Sequence, residues 1–140
     1  MTTSHKVTPT PQQIRENILA ALSEDIGDGD ITAQLIPADA RSNGLVITRE
    51  AGVMCGQAWV DAVFAEVDSS ISLEWLAHDG DRLSANDSLF TVSGPARGLL
   101  TAERAALNFL QLLSGTASIC NYYASLVEGT GVKLLDSRKT

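Results

Sequence analysis

The feature that most constrains the fold is a long stretch without a charged side chain, which runs from Ala105 to Val127. A helix of this length could cross the hydrocarbon core of a bilayer. The stretch also contains many residues that an isolated membrane span disfavours, namely Asn108, Gln111, Ser114, Gly115, Thr116, Ser118, Asn121 and Ser125. Their number predicts a helix buried in protein and no membrane partner, with Leu107, Leu110 and Leu113 on its apolar face.

Composition and charge narrow the class of protein further. The 140 residues include 44% hydrophobic and 19% charged side chains, which is ordinary for one globular domain. A net charge of −7 argues against a nucleic-acid partner, because duplex binding requires a basic face. The residues from Met1 to Gln13 lack an apolar secretory segment, and the isolated Cys55 and Cys120 are typical of reduced thiols. These features together predict a cytoplasmic protein.

Local patterns predict three helical regions. Thr10, Pro11 and Gln13 form the pattern of a capping box, which predicts a helix from Pro11 to about Ser23. The spacing of apolar residues predicts a second helix from Gln57 to Val67. A third helical region is expected from about Thr101 to Leu126, with a bend or break at residues 114–116.

Strands are predicted at Gly44 to Arg49, Ser70 to Leu76, Leu89 to Ser93 and Val132 to Asp136. The residues from His78 to Arg82 have the composition of a turn. A small sheet flanked by helices is the expected arrangement, which is an α+β fold.

An acidic segment from Glu24 to Thr32 alternates aspartate with glycine. It is similar to a calcium-binding loop, but an EF-hand loop that begins at Asp25 would require Glu at position 36, where this chain has Ile36. The residues therefore favour a tight acidic turn, in which glycine adopts positive φ angles.

Basic residues near the C-terminus are the best candidates for ligand binding. Arg104 lies in the predicted first turn of an apolar helix, where an ion pair on a solvated face is the alternative interpretation. Arg138 and Lys139 follow the last predicted strand and have Ser137 beside them. Strand ends bind ligands in α/β proteins, and such side chains suit a carboxylate or a phosphate. The residues alone thus predict an anionic ligand and go no further.

Three segments resemble the quinolinate phosphoribosyltransferases, which are glycosyltransferases of NAD biosynthesis. They are Glu24 to Thr32, Glu103 to Gly115, and Asp136 to Thr140. The resemblance implies conversion of quinolinate and phosphoribosyl pyrophosphate into nicotinate mononucleotide, pyrophosphate and carbon dioxide. It also implies a homodimer and a requirement for Mg²⁺. By resemblance, Arg104, Ser137, Arg138 and Lys139 bind quinolinate, with Arg104 reaching the partner's site.

The resemblance also implies a domain organisation. An N-terminal open-faced α/β sandwich is expected over residues 1–116, with a loose arm at 1–9, followed over 117–140 by the start of a truncated α/β barrel. The ligands for Mg²⁺ and a complete catalytic set are expected to be absent, so the chain alone is expected to be inactive. The alternatives are a molybdenum-transport-type homologue, a dimerising fragment without catalysis, and a lipoyl or biotinyl carrier domain. The carrier domain is disfavoured because it requires a lysine at a hairpin tip.

Overall fold

The computed structural model describes residues 8–27, 29 and 31–135. The elements in chain order are α1 (Pro11–Ile26), α2 (Ile31–Gln34), β1 (Arg41–Ile47), β2 (Gly52–Val53), α3 (Gln57–Val67), β3 (Ser72–Trp75), β4 (Arg82–Leu83), β5 (Ser88–Pro95) and α4 (Ala96–Leu126). This mixture of a small antiparallel sheet with helices confirms the predicted α+β class.

Strand β5 lies at the centre of a three-stranded antiparallel sheet with the order β1-β5-β3. Its residue Phe90 is fully buried and lies opposite Val46 of β1 and Trp75 of β3. The Phe90 ring lies 4.6 Å from the Trp75 ring and 6.5 Å from the Phe64 ring of α3, measured between centroids. One sheet face thus packs on the helices around Phe90. The short strands β2 and β4, which sequence patterns did not predict, pair separately.

Helix α1 begins as the sequence predicts. The Thr10 hydroxyl accepts a hydrogen bond from Gln13 N at 3.2 Å, and Gln13 Oε1 accepts one from Thr10 N at 2.8 Å. Both bonds of the capping box are therefore present. The helix ends at Ile26 rather than near Ser23, and Gly27 follows it with a φ of 51°. Glycine adopts this left-handed conformation without the steric cost that other residues incur.

Helix α3 has the predicted bounds, but its N-terminus is capped from a distant turn. Gly56 precedes the helix and has no side chain with which to cap it. Instead, Asp79 Oδ1 accepts hydrogen bonds from Gly56 N at 2.8 Å and from Gln57 N at 3.1 Å. The Asp79 carboxylate satisfies amides that a helix leaves unpaired, and it favours the positive end of the helix dipole. The acidic turn at 78–82 thereby fixes where α3 begins.

Helix α4 is continuous, whereas the sequence predicted a start near Thr101 and a bend or break at residues 114–116. The Ser114 hydroxyl accepts from Cys55 N at 3.0 Å, and the Ser118 hydroxyl accepts from Val53 N at 2.8 Å. Ser114, one of the residues that suggested an interruption, therefore connects the helix to the residues after β2, and Ser118 connects it to β2 itself. Gly115 faces open space and leaves the helix intact.

The expected burial of α4 is correct only for its first part. Leu110 is buried, and Leu107 packs against the core. Farther along, half or more of each of these apolar side chains is exposed: Leu112, Ile119, Tyr122, Tyr123 and Leu126. No helix among the described residues is long and apolar enough to cross a membrane.

The strand predicted at Val132 to Asp136 is not formed by its described part, residues 132–135, which have irregular backbone. A strand requires a hydrogen-bonding neighbour, and the described residues form no pairing with this segment. Asp136 lies outside the described residues.

Candidate functional site

Arg104 lies in the third turn of α4, because the helix begins at Ala96 rather than near Thr101. The expected first-turn position is therefore wrong, and the positive end of the helix dipole does not act on its guanidinium. Arg104 Nη1 lies 3.0 Å from Asp25 Oδ1. The Arg104 side chain is 76% exposed and that of Asp25 is 22% exposed. The site thus has an exposed cation that is held from one side by a largely covered carboxylate.

The acidic segment contributes to the same site. Asp25 lies in the last turn of α1, and the chain then passes through Gly27 and Gly29 to α2. Both glycines have the predicted positive φ angles, 51° and 146°, but the ends of the segment predicted as a turn belong to α1 and α2. The aspartates at positions 28 and 30 lie outside the described residues. Sequence patterns left the role of this segment open, and the structure places its described residues beside Arg104.

Arg97 fixes the position of α2 relative to α4. Its Nε donates to Ile36 O at 2.7 Å, and its Nη2 donates to Gln34 O at 3.5 Å. These carbonyls lie at or just after the end of α2, where a cation is favoured by the helix dipole. Arg97 therefore has a structural role: it connects α2 to α4, the helix from which Arg104 projects.

A groove of about 580 Å³ lies between α4 and the acidic segment. The polar residues of α4 that line it are Glu103, Arg104, Asn108 and Gln111, and Asp25 and Thr32 lie on the opposite side. Residues four and seven positions apart share one face of a helix. Arg104, Asn108 and Gln111 therefore offer one guanidinium and two amide groups in a row that can donate hydrogen bonds to a planar anion, beside the carboxylates of Asp25 and Glu103.

Sequence reasoning predicted Arg104 and missed Asp25, Asn108 and Gln111 as its neighbours. A signal for the two amides was present, because they follow Arg104 at helical spacing within a stretch that has no charge. No comparable signal links Asp25 to Arg104, which is 79 residues away in the chain. Ser137, Arg138 and Lys139 lie outside the described residues.

A second cavity, of about 500 Å³, lies between α4 and residues 46–53. Its hydroxyl groups include those of Ser114 and Ser118, whose hydrogen bonds hold the backbone of residues 53 and 55. Burial raises the pKa of the nearby Cys55 thiol, and Asp79 raises it further. A raised pKa lowers the thiolate fraction, so this thiol is not an activated nucleophile.

Among residues 8–27, 29 and 31–135, no group of three or more His, Cys, Asp or Glu side chains converges to hold a metal ion. Mg²⁺ in enzymes is commonly held by one or two carboxylates together with substrate phosphates and water.

Comparison with known proteins gives one family. The family model described as "Quinolinate phosphoribosyl transferase, N-terminal domain" matches residues 30–114. A quinolinate phosphoribosyltransferase (decarboxylating) 1b of Nicotiana tabacum is 38% identical over 125 residues, which cover 88% of this chain and 35% of that protein. A nicotinate-nucleotide pyrophosphorylase (carboxylating) of Mycobacterium leprae is 38% identical over 133 residues, which cover 90% of this chain and 46% of that protein.

Solved structures give the same result. The nicotinate-nucleotide pyrophosphorylase from Francisella tularensis matches with a TM-score of 0.93 and 39% identity, over 99% of this chain and 50% of that one. NadC from Streptococcus pyogenes matches with a TM-score of 0.90 and 35% identity, over 96% of this chain and 48% of that one. The chain thus spans about a third to a half of the length of these relatives.

Proposed function

The chain belongs to the quinolinate phosphoribosyltransferase family, and we propose that it supplies the N-terminal part of an enzyme that converts quinolinate and phosphoribosyl pyrophosphate. The products are nicotinate mononucleotide, pyrophosphate and carbon dioxide. The observation that carries the proposal is the exposed guanidinium of Arg104, which lies in an open groove and belongs to the segment that the family model matches.

Quinolinate carries two carboxylates, and the Arg104 guanidinium suits such a group. A guanidinium binds a carboxylate through two parallel hydrogen bonds, a geometry that the point charge of lysine does not reproduce. Arg104 is the one cation that lines this groove among the described residues. Its task in the proposed enzyme is to bind and orient a carboxylate of quinolinate, with Ser137, Arg138 and Lys139 as further quinolinate-binding residues.

The proposed assembly is a homodimer in which Arg104 reaches the site of the partner subunit. The exposure of its guanidinium supports this role, because most of that side chain remains accessible from outside the protomer. Phosphoribosyl pyrophosphate and Mg²⁺ belong to the proposed reaction, and we assign neither to a described residue. The cytoplasmic location remains a prediction, since named relatives include mitochondrial and chloroplastic proteins.

The proposed domain boundary lies near residue 116. The family match ends at residue 114, and several apolar side chains of α4 beyond that point are exposed. Both observations support an N-terminal sandwich over residues 1–116 and the start of a second, barrel domain over 117–140.

The test of Arg104 is the substitution Arg104→Lys in a full-length enzyme that carries this segment. Loss of the bidentate contact is expected to lower kcat/KM for quinolinate by about tenfold or more, because a hydrogen bond to a charged group contributes about 1.5–3 kcal/mol. Arg15→Lys is the matched control, since Arg15 is an exposed arginine that pairs with Glu66 at 3.3 Å on another surface. Unchanged kinetics in the Arg104 variant would exclude the proposed role.

The chain of 140 residues is expected to show no phosphoribosyl transfer by itself. Transfer develops positive charge on the ribose and negative charge on the departing pyrophosphate, and both require several preorganised charged groups. The groove provides only Arg104 as a cation among the described residues. The measurement is product formation from quinolinate, phosphoribosyl pyrophosphate and Mg²⁺. Turnover above that of a Lys139→Ala variant would contradict the expectation.

A further inference from the structure

We propose that Asp25 is a positioning residue, which holds the Arg104 guanidinium in a fixed orientation for a planar carboxylate ligand. The inference rests on the proposed function for the identity of that ligand, quinolinate. It assigns a specific task to the acidic segment, namely to orient the cation on the neighbouring helix α4.

The location of Asp25 on α1 is the first argument. Asp25 lies in the last turn of this helix, where the dipole disfavours a negative charge, and that turn contains no basic residue. The compensating charge comes from α4, through the contact of 3.0 Å between Asp25 Oδ1 and Arg104 Nη1. A carboxylate at this position therefore has its favourable partner in Arg104 rather than in its own helix.

The unequal exposure of the two side chains is the second argument. The Asp25 side chain is 22% exposed and lies on a packed helix, whereas the Arg104 side chain is 76% exposed. The carboxylate is thus the fixed member of the pair, and the long arginine side chain is the member that gains order. Arginine otherwise loses much rotamer freedom when it binds a ligand.

The geometry of the ion pair leaves Arg104 able to bind. A guanidinium has five N–H donors, and the contact with Asp25 uses Nη1. Among the described residues, Asp25 is the side-chain partner of Arg104, which leaves the other donors for a carboxylate in the groove, where Asn108 and Gln111 continue the polar row. Asp25 therefore orients the guanidinium without occupying its whole hydrogen-bonding edge.

Asp25 could either orient Arg104 for the ligand or compete with the ligand for Arg104. These two roles predict opposite changes in ligand affinity when the Asp25 charge is removed. If Asp25 orients Arg104, its loss weakens carboxylate binding because the guanidinium becomes mobile. If Asp25 instead competes with the ligand, its loss strengthens binding because the positive charge is no longer neutralised. The substitution Asp25→Asn distinguishes the two, since asparagine has nearly the same shape and no charge.

The matched control is Glu24→Gln. Glu24 lies beside Asp25 in the last turn of α1, is exposed, and forms no ion pair with another described residue. It also lines a neighbouring cavity that includes Arg104. The two variants thus remove the same formal charge from the same turn, and only one of them removes the contact with Arg104.

The first measurement is the order of the Arg104 side chain, followed by NMR relaxation of its Nε–Hε group in the 140-residue chain. Asp25→Asn is expected to make this group mobile on the nanosecond timescale, whereas Glu24→Gln leaves it ordered. Asp25→Glu, which keeps the carboxylate, is expected to retain part of the order and provides a second variant. Equal order in wild type and in Asp25→Asn, or equal loss of order in Asp25→Asn and Glu24→Gln, would overturn the inference.

The second measurement is a titration with quinolinate, followed through the same Arg104 signal. Asp25→Asn is expected to weaken binding by about threefold to tenfold, the range for the ordering of one rotamer-rich side chain on binding. In an Arg104→Ala background, followed through backbone amides of the groove, Asp25→Asn is expected to have no effect. Unchanged or tighter binding in Asp25→Asn would overturn the inference. A wild-type chain whose Arg104 signal does not respond to quinolinate would instead count against quinolinate binding by the groove of this chain, while the relaxation result still decides whether Asp25 orients Arg104.

Discussion

The two halves of helix α4 differ in what covers them, although the helix is continuous. In the first half, residues 96–113, five residues are buried: Gly98, Ala102, Ala105, Ala106 and Leu110. In the second half, residues 114–126, four large side chains are at least half exposed: Ile119, Tyr122, Tyr123 and Leu126. The buried residues of the first half are mostly small, and the exposed apolar residues of the second half are larger.

Small side chains in the first half let α4 approach its neighbours closely. A Cβ atom on Gly98 would lie 3.2 Å from Ile71 Cδ1 and 3.3 Å from Asp68 Cβ. Close packing of this kind makes a rigid platform, which is a requirement for a site that orients a ligand. Arg104 projects from this half, so the candidate site lies on the best-packed part of the helix.

The largest expected effect is on the free energy of unfolding. It differs between Leu110 and Leu112, two nearby residues in the first half of α4 that have opposite environments. Leu110 is 4% exposed and Leu112 is 69% exposed. Leu110→Ala is expected to lower the free energy of unfolding by about 2–5 kcal/mol, the range for a buried leucine that leaves a cavity. Leu112→Ala is expected to change it by no more than about 0.5 kcal/mol. Urea denaturation followed by circular dichroism measures both, and similar losses in the two variants would contradict the described packing.

The next effect concerns the second half, whose apolar side chains are expected to drive self-association of the chain. The apolar face that the sequence predicts, with Leu107, Leu110 and Leu113, is buried or half-buried, and the exposed residues lie farther along α4. Leu126→Glu is expected to weaken self-association by about tenfold or more, because an unpaired charge is costly to bury.

Sedimentation velocity at tens of micromolar measures this association, with Leu35→Glu as the control. Leu35 is also exposed but lies just after α2. A wild-type chain that stays monomeric and binds no dye specific for apolar surface would exclude the expected association.

Elements with local signals were predictable from the sequence, and contacts between distant residues were not. The capping box at Thr10 and the apolar spacing of α3 involve residues within a few positions of each other. The connection of α4 to its neighbours involves instead hydrogen bonds that Cys55 N and Val53 N donate to the hydroxyls of Ser114 and Ser118. Local sequence contains no information about those partners.

The candidate site shows the same division. Arg104 was identified by its residue type and by resemblance. Its ion pair with Asp25 joins residues 79 positions apart and depends on how α1 packs against α4. Sequence reasoning could name the cation, and only the fold could identify the carboxylate beside it.

The smallest expected effect is that of Arg104 on folding. Arg104→Ala is expected to lower the free energy of unfolding by no more than about 1 kcal/mol, because exposed ion pairs contribute little. Part of that loss arises because Asp25 is left without its partner in the last turn of α1, so the double variant Arg104→Ala, Asp25→Asn is expected to recover some of it. Urea denaturation at low and high salt measures both variants, and the loss should shrink at high salt. A loss as large as that of Leu110→Ala would make Arg104 a structural residue of the packed half. A small loss of unfolding free energy, together with the expected tenfold decrease in kcat/KM for quinolinate in Arg104→Lys, would instead show that the guanidinium serves ligand binding.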